Sequence, residues 1–349
     1  VKIMPNEANV TIILLIRGRP WFTERWLKYA NQNLKNFCII IADGSNELEK
    51  FKVDESSFSN INIRQITFPF DKDIETYQAK IIKSLNAVST QYVCMMSNDD
   101  FIFQNSILNQ IKFLDNNPEY SASRGDVFDF AINSLDKKNQ LYGDIYSVHR
   151  LFHPIGFNKN SALDRLKDFE KCPNGLWHSV IRTEILKEII NKSIQEGITT
   201  HQIFEFYVTL SLIASGKIYF DKSLYLLHQI HKNMQTDDDN FLTFDDEIKI
   251  HTKIYNKFID SIATIINEKE KNSIDVRKYI IELTTDIKRK PIHVKHQSIL
   301  VGKIKTKLVL ILSQYKFLNY IMIKLKNYVF KNDSEYHDEI SIVNKFLSK

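Results

Sequence analysis

The sequence predicts an α/β fold: a mainly parallel sheet flanked by helices, with a helical extension at the C-terminal end. Three observations carry that expectation. Val10–Ile16 is an unbroken run of β-branched residues and leucine and Tyr92–Met96 an apolar run, both of strand length, as strands covered on both faces require. Helical stripes lie between the strand-like runs, and this alternation argues for βαβ units. Beyond Asp237-Asp238-Asp239 the pattern is helical only, which sets an expected division into residues 1–236 and 237–349.

Each element has a local reason. Val10–Ile16 stops at Arg17-Gly18-Arg19-Pro20, and Pro20 suits the first turn of a helix in which Phe22, Trp26, Leu27 and Ala30 recur at helical spacing. Residues 37–42 form a second buried strand, ended by the turn signal Asp43-Gly44-Ser45-Asn46. Ile61, Ile63 and Ile66 alternate with polar residues, as in a more exposed strand. Asp73 is placed to cap a helix whose stripe is Ile74, Tyr77, Ile81, Leu85 and Val88. After the strand Tyr92–Met96, Ser106 is expected to cap a helix ending before Asn117-Pro118. Residues 120–153, rich in Asp, Gly and aromatics without a period, read as loops and short strands near a site. A helix is expected at 160–169, a strand at 176–181, and a helix capped by Thr183. Residues 201–215 are helical and apolar over most of their surface, and Gly216 stops them. Two short strands, 217–220 and 224–227, precede His228-Gln229-Ile230-His231. Helical patterns then run through 244–267, 273–287, 298–313, 315–330 and about 334–347.

Composition narrows the class. Apolar residues at 43% and charged residues at 26% exclude a disordered chain and a multispan membrane protein. Cys38, Cys94 and Cys172 are far apart, which is reduced, cytoplasmic usage and not a disulfide framework. No positively charged leader with an apolar run opens the sequence, so a cytoplasmic location is expected. The charge is uneven. Eleven Lys and Arg and no acid lie between Asp286 and Asp333, so the formal +5 of the chain leaves the remainder at −6. The lysines of 288–331 alternate with apolar runs too short to span a bilayer, which fits either a peripheral contact with anionic lipid or a bundle packed on the body of the protein. Nucleic acid is disfavoured, because the aromatics there sit within apolar stripes and not between the lysines.

The stretch richest in chemistry is Met96-Ser97-Asn98-Asp99-Asp100, at the end of the central strand. Open α/β sheets bind ligands beyond the carboxyl ends of their strands. Two adjacent carboxylates repel unless a cation or a proton relieves them. A metal–nucleotide site meets that need, and so does a solvated turn.

The order of these pieces resembles the GT-A fold glycosyltransferases, and is similar to the bacterial family 2 inverting enzymes. The resemblance covers Val10 to His231 and rests on Ile16-Arg17-Gly18-Arg19-Pro20, Ala42-Asp43-Gly44-Ser45, Met96-Ser97-Asn98-Asp99-Asp100 and Phe204-Glu205-Phe206. It implies a Rossmann-like sheet and a set of roles. Asp43 would accept hydrogen bonds from the nucleotide base, and Arg17 and Arg19 would approach the nucleotide. Asp99, with Asp100 and His231, would hold a Mg²⁺ or Mn²⁺ ion on the diphosphate. Ser97 stands where the family commonly has an acid, so Ser97 or Asn98 would have to meet the ribose. Glu205 would be the base, with Phe204 and Phe206 desolvating it. Trp177 and His178 would contact the acceptor or donor sugar.

The activity implied is transfer of a sugar, with inversion, from a nucleotide-sugar donor to a glycan or lipid-linked acceptor in bacterial surface polysaccharide synthesis. Two rivals remain. A nucleotidyltransferase normally needs a more glycine-rich first loop than Arg17–Pro20. A non-catalytic binding or assembly protein would explain Ser97 and Phe204 as marks of a decayed site.

Overall fold

The computed structural model describes residues 8–136, 140–151, 155–231, 242–270, 275–289 and 336–348, with side chains to 285 in the fifth span. Its strands are β1 (Val10–Ile16), β2 (Cys38–Asp43), β3 (Asn62–Thr67), β4 (Tyr92–Met96), β5 (Phe101–Ile102), β6 (Tyr120–Asn133), β7 (Asp144–Arg150), β8 (Val180–Arg182) and β9 (Lys217–Gln229). They form one sheet in the order β3-β2-β1-β4-β8-β6-β9-β5, with β7 on β6. The half from β3 to β4 is wholly parallel. Beyond β4 the pairing is mixed: β8 runs antiparallel to both β4 and β6, and β9 parallel to β6.

The helices are α1 (Pro20–Asn33), α2 (Ile74–Asn86), α3 (Gln104–Asn116), α4 (Ala162–Lys171), α5 (Thr183–Gln195), α6 (His201–Ser215), α7 (Phe244–Ile250), α8 (Thr252–Lys269), α9 (Val276–Arg289) and α10 (His337–Leu347). Two cores explain why β4, and β1 apart from Thr11, are apolar. Ile13, Val93 and Met95 face one core with α2, α5 and α6, whereas Ile12, Leu14, Cys94 and Met96 face the other with α1 and α3. Strand residues alternate sides, so a strand covered on both faces is apolar except where a polar side chain finds a partner, as Thr11 does in the Thr90 hydroxyl at 2.8 Å. Helices α7 to α9 extend the first core: Phe244, Phe258 and Ile262 share it with Phe204, Tyr207 and Leu210 of α6. Helix α10 joins a third cluster, in which Val343, Phe346 and Leu347 cover Tyr29, Phe101 and Phe130.

Several sequence expectations are corrected. Residues 120–153 contain the 14-residue strand β6 paired with β7, not loops and short strands. Arg124 and Asp126 disguise it, yet both are buried. Arg124 donates to Asn174 Oδ1 at 2.9 Å, and Asp126 accepts from the Tyr336 hydroxyl at 2.7 Å and pairs with Arg150 at 2.8 Å. β9 is one irregular strand, since register shifts against β6 absorb the polar residues at its middle. Ser106 does not cap α3; Phe103 holds that position and the Ser106 hydroxyl bonds Ser223 at 2.6 Å. Thr183 opens α5 and sends its hydroxyl to the Thr90 carbonyl, at 2.9 Å. The helix expected at 244–267 is broken at His251. The Asp73 cap forms as read, as a reciprocal capping box with Thr76. The helices expected at 298–313 and 315–330, and the basic block past α9, lie outside the described residues. Among the described residues no helix is long and apolar enough to cross a membrane.

Candidate functional site

Strand register fixes the site. Ile16 pairs with Asp43, Asp43 with Thr67, and Leu14 with Met96, so the segments leaving β1, β2 and β4 emerge at one edge of the sheet. Gly18 and Arg19 both have left-handed backbone, at φ 69° and 57°, and turn the chain sharply from β1 into α1. That conformation is cheap for Gly and costs about 1 kcal/mol for other residues. The turn lays the Arg19 guanidinium across the end of β4. Nη1 donates to Asp99 Oδ2 at 2.8 Å and Nη2 to Asn98 Oδ1 at 3.1 Å. Asn98 returns a bond to the Thr23 hydroxyl at 3.0 Å, and the guanidinium lies 5.4 Å from the Phe22 ring centre.

His231 closes the group. Its ring stacks on Phe22 at 5.0 Å, and its Nε2 is 2.9 Å from Asp99 Oδ2. Burial alone would raise the Asp99 carboxyl, but the His231 bond and the charge of Arg19 hold it well below the usual carboxylate range. The same Nε2 is 3.4 Å from Arg19 Nη1. Asp100 faces another way. Its Oδ1 accepts from the Gln229 amide at 3.2 Å, and its Oδ2 is buried with no hydrogen-bond partner. Burial raises Asp100 to about 7, with the neighbouring Asp99 adding to the rise and His228 opposing it. His228 is raised to about 9: burial lowers it, but Asp100, and the bond to Asp129 at 2.9 Å, outweigh burial.

Of the donors expected for Mg²⁺ or Mn²⁺, Asp99 Oδ2 is therefore already engaged by Arg19, whereas Asp100 Oδ2 has no hydrogen-bond partner. Asp99 Oδ2 faces Arg19 Nη1 at 2.8 Å and His231 Nε2 at 2.9 Å. Among the described residues no group of three or more His, Cys, Asp or Glu is arranged to hold a metal ion. Donors arranged in this way do not fit a divalent cation. The repulsion between the two acids is relieved instead by Arg19, by His231 and by the high proton affinity of Asp100.

The remaining expected residues surround this cluster. Asp43 is fully buried, with Oδ1 accepting from the Ser45 amide at 2.9 Å and Oδ2 from the Phe51 amide at 3.0 Å. Ser45 in turn accepts from the Gly18 amide at 2.7 Å, which ties the Asp43 loop to the Arg19 turn. Arg17 is exposed over the Phe70 ring, at 5.0 Å. Ser97 is half-buried just past β4. His178 bonds the Met95 carbonyl through Nδ1 at 2.8 Å, and burial lowers it to about 4. Trp177 packs edge-on to Phe204 at 5.9 Å and beside Tyr77 at 6.4 Å.

Glu205 makes no direct contact with Asp99 but lies at the same edge. β6 runs parallel to β4, because both are antiparallel to β8. Gly216, at the far end of α6, abuts Ser121 at the start of β6. At the opposite end of α6, Phe204 packs on Trp177 and Tyr77, beside His178, whose ring bonds the Met95 carbonyl near the end of β4. The expectation that Phe204 and Phe206 desolvate Glu205 is corrected. Successive helix residues point about 100° apart: Phe204 turns into the core, Phe206 stacks on Phe244 at 4.1 Å, and the Glu205 side chain is 49% exposed. Its nearest ionisable neighbour on the helix is His201, 3.8 Å away.

Three supporting groups were not read from sequence. Buried Lys80 of α2 bonds buried Asp71 and the Ile16 carbonyl, the latter at 3.0 Å. A side chain at Gly44 would strike that Asp71 carboxyl, at 2.3 Å from a Cβ. Arg25 is buried on α1 and donates to Gln229 Oε1 at 2.7 Å and to the Asp99 carbonyl at 3.0 Å. Glu247 of α7 accepts from the Ile203 amide at 3.0 Å, in the first turn of the helix that carries Glu205. Charged residues at helical positions facing an apolar core were the available signal for Lys80 and Arg25.

The chain is similar in structure to TarS of S. aureus. The TarS 1–349 structure has 10% identity and a TM-score of 0.48, covering 97% of this chain and 89% of that one. TarS 1–349 in complex with UDP-GlcNAc has 11% identity and a TM-score of 0.47, with the same coverage. A longer TarS structure has 9% identity and a TM-score of 0.47, covering 83% of this chain; the match spans only 44% of TarS there. At these values the likeness concerns the course of the chain and not its chemistry. No family model matches the sequence, and no curated protein matches it.

Proposed function

We propose that this protein is an inverting glycosyltransferase that moves a sugar from a nucleotide-sugar donor to a hydroxyl of a glycan or lipid-linked acceptor. The observation that carries the reading is the meeting at one sheet edge of the Arg19 guanidinium, held with His231 on Asp99, a buried acid on the second-strand loop (Asp43), and an accessible carboxylate at a helix start (Glu205). The guanidinium faces the diphosphate and the Asp43 loop faces the base, with Ser97 and Asn98 near the ribose. Trp177 and His178 line the sugar side. The acceptor oxygen bonds the anomeric carbon as the carbon–oxygen bond to the diphosphate breaks. The electron pair leaves with the diphosphate, and the acceptor proton passes to Glu205. The product would serve bacterial surface polysaccharide, made at the cytoplasmic face of the cell membrane.

The test begins with a thermal-shift panel of UDP, GDP, CDP and dTDP, in which one nucleotide should raise the melting temperature by mass action. With the sugar donors of that nucleotide, Glu205→Gln should lower transfer by about 10²- to 10⁴-fold while nucleotide binding is retained. Equal transfer by parent and variant would leave Glu205 without the role given to it.

A further inference from the structure

We propose that the Arg19 guanidinium takes the place of the divalent cation at this site, so that the donor diphosphate is bound and released without metal. The inference rests on the glycosyltransferase reading, and adds to it the identity of the charge that receives the leaving group.

Four observations support it. The Arg19 fork is fixed at two points by Asp99 and Asn98 and lies against Phe22, so its position is set before any ligand arrives. Those two bonds and a 3.4 Å contact from Nη1 to His231 Nε2 occupy at most three of its five N–H groups, and the side chain is still 29% exposed. The remaining donors match phosphate oxygens, for which a planar guanidinium is suited. Arg19 is also the N-cap residue of the 14-residue helix α1, whose first turn has no acidic residue and no side-chain cap. The helix dipole therefore adds to the positive potential at that point. His231 Nε2 lies 2.9 Å from the same Asp99 oxygen with its side chain fully buried, and so braces the carboxylate that holds Arg19.

In the transfer step the bond between the anomeric carbon and the diphosphate oxygen breaks, and its electron pair stays on the diphosphate. Arg19 meets that added charge. No electron or proton passes to the guanidinium.

The experiment is calorimetric titration of the full chain with UDP, GDP, CDP and dTDP, in EDTA and in Mn²⁺. The parent should bind its preferred diphosphate with the same affinity, within about twofold, in both. Arg19→Gln should weaken the diphosphate by about 10- to 100-fold, the value of a charge-assisted contact, and leave the corresponding nucleoside unchanged. Arg19→Lys should recover part of the loss, and far-UV circular dichroism checks that both variants fold. Binding that requires Mn²⁺ and disappears in Asp99→Asn would overturn this proposal alone. Failure of the parent to bind any of the four diphosphates, with or without Mn²⁺, would overturn it together with the glycosyltransferase reading.

Discussion

Replacing Lys80 by Met should destabilise the protein far more than loss of an ordinary ion pair. Lys80 and Asp71 are 1% and 4% exposed, and burial lowers the lysine and raises the aspartate, so each is charged against its surroundings. Asp71 Oδ1 already lacks a partner, and removing the ammonium leaves Oδ2 in the same position. Breaking one side of a buried pair costs about 3–5 kcal/mol, a factor of roughly a hundred to several thousand in the folded ratio. The Lys80 bond to the Ile16 carbonyl, which fixes the start of the Arg17–Arg19 turn, is lost as well. Urea unfolding followed by far-UV circular dichroism measures the cost. Adding Asp71→Asn removes the stranded charge and should restore about 2 kcal/mol. A loss under about 1 kcal/mol for Lys80→Met, the size of an exposed pair, would refute the reasoning. So would a double variant no more stable than the single one.

Two further outcomes follow from geometry. His178 has its proton affinity depressed to about 4 in the folded state, so its contribution is present above its ordinary value near 6.5 and is lost as pH falls from there toward 4. Partial exposure reduces the effect to about 1–2 kcal/mol; unfolding at pH 7 and pH 4.5 should show a larger acid loss in the parent than in His178→Gln, and equal losses would contradict the assignment. Phe346→Ala removes the ring that α10 sets against Tyr29 and Phe101. The amides of Gly143 and Ile145, which bond Leu347 O and Asn344 Oδ1 at 2.9 and 2.8 Å, should then lose hydrogen-exchange protection before the rest of the sheet.

What the sequence disclosed was whatever one local pattern decides. β1 and β4 are apolar because both faces are covered, and Asp73 announces α2 through bonds to its own near neighbours. The elements that stayed hidden depend on distant partners. β6 reads as irregular because Arg124, Asp126 and Asp129 interrupt it, and the groups that make them tolerable, Asn174, Tyr336, Arg150 and His228, are 24 to 210 positions away. The acidic edge was legible as a place where charge must be balanced. That an arginine 80 residues earlier balances it became visible only once the left-handed turn at Gly18-Arg19 had been located.

The contact from Glu247 to the start of α6 bears on how this protein can be divided. A fragment cut at the compositional boundary near 236 would retain every residue assigned to the nucleotide and the sugar. It would leave the Ile203 amide without its acceptor and Phe206 without Phe244 over it, so the segment bearing Glu205 would fray first. The aim of Glu205 is thus set by a helix some forty residues downstream, in what reads as an appendage.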